Sequence, residues 1–243
     1  MRTMPRTLAA IIAIGFSLTS ITGAAGQSLP KGRERRLLYQ DDFSVARPQW
    51  VVEQSKGKPR IVDGQLDINT AGGCTMWFKK RLSAPVLIEY EATPVKSGGR
   101  HDRVSDLNCF WMAIDPEHPR NIFAKTRTRT GDFSKYHSFR LYYVGYGGNN
   151  NTTTRFRRYP GDGSRPLLPR HDLKDKKFLL KPNKTLKIQI VSAGKRQQYI
   201  RDGKVVFGFT DDKPFLKGWF GFRTVRSHLR IDNFKIYALG NAN

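Results

Sequence analysis

The sequence predicts an all-β sandwich, and three observations carry that expectation. Apolar runs are short and are broken every few residues by turn formers. The 22 glycines and 13 prolines are spread along the chain rather than gathered in one linker. Past the N-terminal segment, no stretch repeats apolar residues at the i, i+3, i+4 spacing of an amphipathic helix.

The elements follow in chain order. Residues 1–26 join Arg2 and Arg6 to a short apolar run and a small-residue end, Ala24-Ala25-Gly26, the pattern of a signal peptide removed on export. The expected location is secreted or periplasmic, with no membrane span. Residues 27–36 read as a basic, mobile leader and 37–240 as one domain. Strands are expected at 37–43 and 50–53, and as a hairpin over 61–68 turning at Asp63-Gly64. Further strands are expected at 76–78, 85–93, 107–114, 138–146 and 155–159, with residues 147–154 looping between the last two. Glu89 and Glu91, within 85–93, read as part of an ordinary edge strand. Leu186, Ile188 and Ile190 alternate with Lys187 and Gln189, and a hairpin over 197–209 turns at Asp202-Gly203. Strands at 218–224 and 229–239 close the chain.

Two cysteines, Cys74 and Cys109, sit in strand-like runs of an exported chain. They could form one disulfide or serve as small core residues. The formal charge of +23 sets up a field that attracts polyanions. Export turns that expectation toward an acidic polysaccharide or oligosaccharide and away from nucleic acid. A monomer is expected.

The closing stretch YIRDGKVVFGFTDD with GWFGFRTVRSHLRIDNFKIYAL resembles the last strands of concanavalin A-like jelly rolls. The opening LLYQDDFS with VDGQLDI fits the first strands of the same fold. The central GGRHDRVSDLNCFWMAIDP and YYVGYGGNNNTTTRFRRY are similar to an uncharacterised secreted bacterial family found beside polysaccharide-degrading enzymes. That resemblance implies a jelly-roll sandwich of two antiparallel sheets in a carbohydrate context, and it supplies no catalytic residue.

Alternation sorts the candidate residues. On one strand Leu107, Cys109, Trp111 and Ala113 form the natural core face, leaving Asp106, Asn108, Phe110 and Met112 opposite. Asp106, Asn108 and the Phe110 ring would suit a sugar, or Asp106 and Asn108 could end in turn bonds. On the next strand Arg140, Tyr142, Val144 and Tyr146 share a face, against Phe139, Leu141 and Tyr143. Asn149 and Asn150, in the Gly-Asn-Thr loop, could read hydroxyls or cap a polar hairpin. Arg155, Arg157 and Tyr159 share the following face, where guanidinium forks suit carboxylate or sulfate. His101 and His228 have basic neighbours, which favour the neutral imidazole a general base requires. His118 and His171 read as loop residues.

Three functions fit. A lyase cleaving a uronate glycan by β-elimination needs a cation for the carboxylate, a base and an acid. Arg103, Arg155 or Arg157 would neutralise, and Tyr142, Tyr146, His101 or His228 would exchange protons. Jelly-roll alginate lyases close with Tyr-Phe-Lys-Ala-Gly-x-Tyr, and YYVGYGG is loosely similar without the lysine or the spacing. A retaining glycoside hydrolase of this fold carries Glu-x-Asp-x-x-Glu, which is absent, though Asp102, Asp106 and Asp115 leave another arrangement open. A glycan-binding module needs no reaction at all. No cofactor is expected; Asp41-Asp42 and Asp232-Asn233 could bind a structural calcium ion or form strand-edge turns.

Overall fold

The computed structural model describes residues 34–45 and 48–240. The expected signal peptide lies outside them, as does most of the expected leader. In chain order the strands begin with β1 (Arg35–Asp41), β2 (Trp50–Gln54), β3 (Arg60–Val62), β4 (Gln65–Asn69), β5 (Gly73–Phe78) and β6 (Leu82–Ser83). Next come β7 (Val86–Pro94), β8 (Leu107–Ile114), β9 (Arg140–Gly147), β10 (Thr153–Pro160) and β11 (Asp172–Leu173). The last are β12 (Leu186–Ala193), β13 (Arg196–Arg201), β14 (Lys204–Thr210), β15 (Lys217–Val225) and β16 (His228–Leu239).

They form two antiparallel sheets. One runs β14-β13-β12-β7-β16-β4-β3, with β1 also on β16; the other runs β11-β10-β9-β8-β15-β5-β2, with β6 on β15. The chain crosses between sheets repeatedly, as a jelly roll does. Strand β1 starts at Arg35, inside the stretch expected to be leader, and pairs Arg35 and Arg36 with Leu239 and Ala238. Strand β7 is no edge: it lies between β12 and β16, and the Lys187 ammonium of β12 forms an ion pair with Glu89 at 3.1 Å.

Alternation builds the core. Ile88, Tyr90, Ile188, Ile190, Ile231 and Ile236 of the first sheet meet Met76, Cys109, Trp111, Val144, Phe220 and Phe222 of the second. Each such aliphatic or phenylalanine side chain contributes about 2 kcal/mol on burial. Cys74 and Cys109 are free, buried thiols of this core. The expected phase of β8 fails at its end. Met112 takes φ 50°, the pairing with β9 slips between Trp111 and Ile114, and Met112 turns inward while Ala113 turns out.

A second apolar cluster covers the outer face of the second sheet: Trp77, Phe110, Leu141, Tyr143, Tyr159 and Trp219, roofed by Ile122, Tyr136 and Phe139. The roof belongs to residues 115–139, which fold back over the sheet. Glu53 of β2 holds it. The buried carboxylate accepts from Arg129 Nε (2.9 Å to each oxygen), from the Thr126 hydroxyl (3.0 Å) and from the Tyr136 hydroxyl (2.7 Å).

Candidate binding cleft

Cross-strand register lines up one polar row across that outer face. From β2 to β11 it reads Glu53, Thr75, Arg223, Asn108, Gly145, Arg155, Asp172, each directly opposite the next. Two residues along, a second row reads Val51, Trp77, Gly221, Phe110, Tyr143, Arg157. Opposed residues share a face and touch, so seven strands build one surface.

Over these rows opens a cleft of about 440 Å³, lined by Asn108, Tyr143, Arg155, Arg157, Tyr159 and Arg223 among others. Gly145 makes room for it: a Cβ there would stand 2.7 Å from the Tyr143 hydroxyl and 3.1 Å from its ring. The roof supplies one wall. Arg223 donates to the Gly131 carbonyl oxygen and, at 3.4 Å, to the Thr75 hydroxyl, with its guanidinium 5.1 Å from the centre of the Phe133 ring. Gly131 and Gly73 approach so closely that a Cβ on either would collide with the other's backbone.

The electrostatics are lopsided. Arg155, Arg157, Arg165 and Arg223 line the cleft against Asp106 and Asp132. Arg155 is neutralised by Asp172 (2.8 and 3.2 Å), which that contact holds below the usual carboxylate range. Asp106 is taken by Arg103. Among the described residues, Arg157, Arg165 and Arg223 have no carboxylate within 4 Å. Arg157 donates to the Arg165 carbonyl oxygen, and burial, with Arg155 and Arg165 nearby, pushes its pKa down. Asp132 accepts from the Ser134 N–H (3.0 Å), which lowers its pKa.

Polar atoms are left over. Asn108 Oδ1 and the Tyr159 hydroxyl are buried without a hydrogen-bond partner; Arg165 lies near that hydroxyl but outside bonding geometry. Burial pushes Tyr159 up to about 12, against the pull of Arg165 and Arg157, and pushes Tyr143 well above the ordinary tyrosine range. Both phenols are therefore protonated donors at neutral pH. The cleft offers cations, neutral donors and one orphaned acceptor.

The sequence-predicted residues divide. Asp106, Asn108, Asn149, Arg155, Arg157 and Tyr159 come together at the cleft. Phe110 lies beneath it, fully buried between Trp77 and Tyr143, so it is no stacking platform. Arg140 sits at the start of β9 on the opposite face, its guanidinium 5.1 Å from the Phe215 ring. Asn150 turns away and accepts from Arg103.

The expected catalytic group does not assemble. Tyr142 and Tyr146 point into the core between the sheets. The Tyr142 hydroxyl donates to Asp211 (2.6 Å) and accepts from the Phe215 N–H (3.1 Å), while Tyr146 accepts from Arg201 (2.6 Å). His228 is clamped by Asp102 at Nδ1 (2.8 Å) and Asp67 at Nε2 (2.6 Å) on the other sheet. His101 holds Asn69 at 2.8 Å outside the cleft. Arg103 is spent on Asp106, Asn150 and the carbonyls of Val225 (2.6 Å) and Arg226 (3.1 Å). His171 is buried among phenylalanines, not in a surface loop. Of the calcium candidates, Asp41 accepts from Trp50 Nε1 (2.9 Å) and Asp232 from Gln65 (3.1 Å). No three acidic, histidine or cysteine side chains among the described residues could jointly hold a metal.

Sequence reasoning missed Tyr143 and Arg223. The signal for Arg223 was present: it shares a strand face with Gly221 inside GWFGFRTV, a charge in phase with a glycine on a core strand.

The sequence matches the family model DUF6250, a domain of unknown function, over residues 68–234. The chain belongs to the DUF6250 family. No curated protein matches it by sequence. Among solved structures, the DUF6250 chain is similar to a protein of unknown function with a galectin-like fold from Bacillus subtilis: 15% identity, TM-score 0.65, 86% of this chain and 100% of that one. The carbohydrate-binding module CBM66 from Bacillus subtilis aligns at 14% identity and TM-score 0.52, over 78% and 96%. An endo-β-1,3-glucanase from Pyrococcus furiosus aligns at 12% identity and TM-score 0.53, over 90% and 99%. These likenesses establish the concanavalin A-like, galectin-like jelly roll.

Proposed function

We propose that the protein binds an acidic glycan in this cleft. One observation carries the reading: Arg223, buried and without an acid to neutralise it, stands next in register to Asn108, whose carbonyl oxygen is orphaned. Buried charges and polar groups without partners are costly. A sugar carboxylate or sulfate on Arg223 and Arg157, with a hydroxyl donating to Asn108, satisfies them together. Proteins of the same fold that bind or cleave carbohydrates, such as CBM66 and the glucanase, support the choice of a sugar. Export, expected from residues 1–26, agrees with an extracellular glycan.

Calorimetric titration with uronate, sulfated and neutral glycans tests this. Acidic glycans should bind, and Arg157→Gln or Arg223→Met should each weaken them about 30-fold, the worth of one charge-assisted hydrogen bond. Equal binding of neutral glycans would defeat the proposal.

A second reading, β-elimination, draws on the Tyr143 hydroxyl beside Arg223 and Arg157, a protonated acid next to cations for the carboxylate. A phenol with a raised pKa is a donor and not a base. His137, whose pKa burial and Arg165 push down, has its Nε2 already accepting from Arg165 at 3.0 Å, and no histidine lines the cleft among the described residues. Binding therefore ranks first. A rise in ultraviolet absorbance from an unsaturated product, lost in Tyr143→Phe, would promote the lyase.

A further inference from the structure

The cleft is closed on one side and continues on another. Toward β5, the Gly131–Gly73 contact and Phe133 put backbone and ring across any route over the strands. Along the strands, past Asn149 and Val225, the surface opens into a second hollow of about 460 Å³. Its lining is Ala71, Arg100, His101, Arg103, Asn150 and Arg226: three arginines and no carboxylate. Arg100 and Arg226 are exposed and, among the described residues, have no acid within 4 Å.

The ridge between the two hollows is built rather than loose. Arg103 ties Asn150, Asp106, Val225 and Arg226 together. Arg226 itself stands at φ 45°, a left-handed conformation unfavourable for arginine, held by its N–H on the Gly72 carbonyl (3.1 Å). Asp106, just ahead of β8, is two residues along the chain from Asn108, at most about 7 Å. A sugar chain lying along β8 and β9 covers that distance.

We propose that this hollow is a second anionic subsite, so that the ligand is a polyanionic oligosaccharide running along the strands with an acidic group in each hollow. The inference rests on the acidic-glycan reading above. Repeated like charge on the ligand answers repeated like charge on the protein, and a glycan with a single acidic residue leaves Arg100 and Arg226 idle.

The test is calorimetry with uronate oligosaccharides of increasing length, from the monomer to the hexamer, prepared from alginate, polygalacturonate and glucuronan. The wild type is compared with Arg100→Ala/Arg226→Asn, asparagine being chosen because it tolerates the left-handed backbone. Affinity should rise with length. The double variant should lose about 25-fold on the longer oligomers, roughly fivefold for each partly exposed ion pair, and bind the monomer as the wild type does. Arg100→Ala alone, at an exposed position, should lose about fivefold on the same oligomers. Equal affinity for monomer and hexamer, or equal losses on both, would overturn the subsite and leave the cleft reading standing. Failure of every acidic oligomer to bind the wild type would remove both.

Discussion

Replacing Glu53 by Gln should loosen the roof of the cleft and destabilise the whole protein. Glu53 is 1% exposed, and its partner Arg129 is 3% exposed. The substitution leaves the guanidinium buried without its counter-charge and keeps an acceptor for only one of Tyr136 and Thr126, which donate to different carboxylate oxygens. Breaking a buried pair from one side costs about 3 to 5 kcal/mol. For a domain of this size, about 2 to 4 °C per kcal/mol gives a fall in Tm on the order of 10 °C. Arg129 has one alternative acid, Asp115, at 3.7 Å from Nη1, which holds the cost toward the lower figure. Adding Arg129→Met removes the stranded charge, so Glu53→Gln/Arg129→Met should recover about half of the loss. Scanning calorimetry reads both. The ligand titration should weaken with Glu53→Gln, because Gly131, which accepts from Arg223, rides on the same roof. A change in Tm under 2 °C, or a double variant no better than the single, would refute the claim that this ion pair holds the roof down.

Three further outcomes are expected. His171, packed edge-on against Phe156 with its Nε2 unpartnered, is pushed down to about 4 by burial and then by Arg170. Its folded pKa lies below the unfolded value near 6.5, so the unfolded chain binds more protons between those limits. Stability is present above about pH 6.5 and should fall by about 3 kcal/mol as pH drops toward 4; urea titrations should show this in wild type and not in His171→Leu. Gly145→Ala should leave folding intact and weaken ligand binding about tenfold by displacing the Tyr143 ring, as titration would show. Tyr142→Phe should cost about 1 to 3 kcal/mol in unfolding experiments, through Asp211 and the Phe215 N–H, and leave ligand affinity unchanged; a loss of affinity would return Tyr142 to the site.

Much of the fold was legible because turns and alternation are local. Asp63-Gly64 and Asp202-Gly203 turn where expected, with Asp63 at φ 51° and Asp202 at φ 49°. The division of β9 into two faces was also legible, but its meaning was not. Alternation sorts the two sets correctly, yet it is Tyr143, and not Tyr142 or Tyr146, that faces the cleft. Which set meets solvent depends on where the other sheet lies, and no single strand carries that information. The slip at Met112 was hidden for a related reason: a bulge changes the phase without changing the composition.

The roof was least legible, and its anchor shows why. Glu53 lies on a short strand more than seventy residues before Arg129, and residues 115–139 are polar and turn-rich, as any surface loop would be. Only the assembled sheet places that carboxylate at the end of the polar row. There, too, the row acquires its sense. Glu53 is answered by Arg129 at one end and Asp172 by Arg155 at the other, so the two ends are closed and the middle, at Arg223 and Asn108, is not. A row that is purely structural has no reason to leave its central cation, hydrogen-bonded only to neutral oxygens, without a counter-charge beside an acceptor without a donor. One built to receive an anion and a hydroxyl does, and that asymmetry is the strongest argument that the ligand binds there.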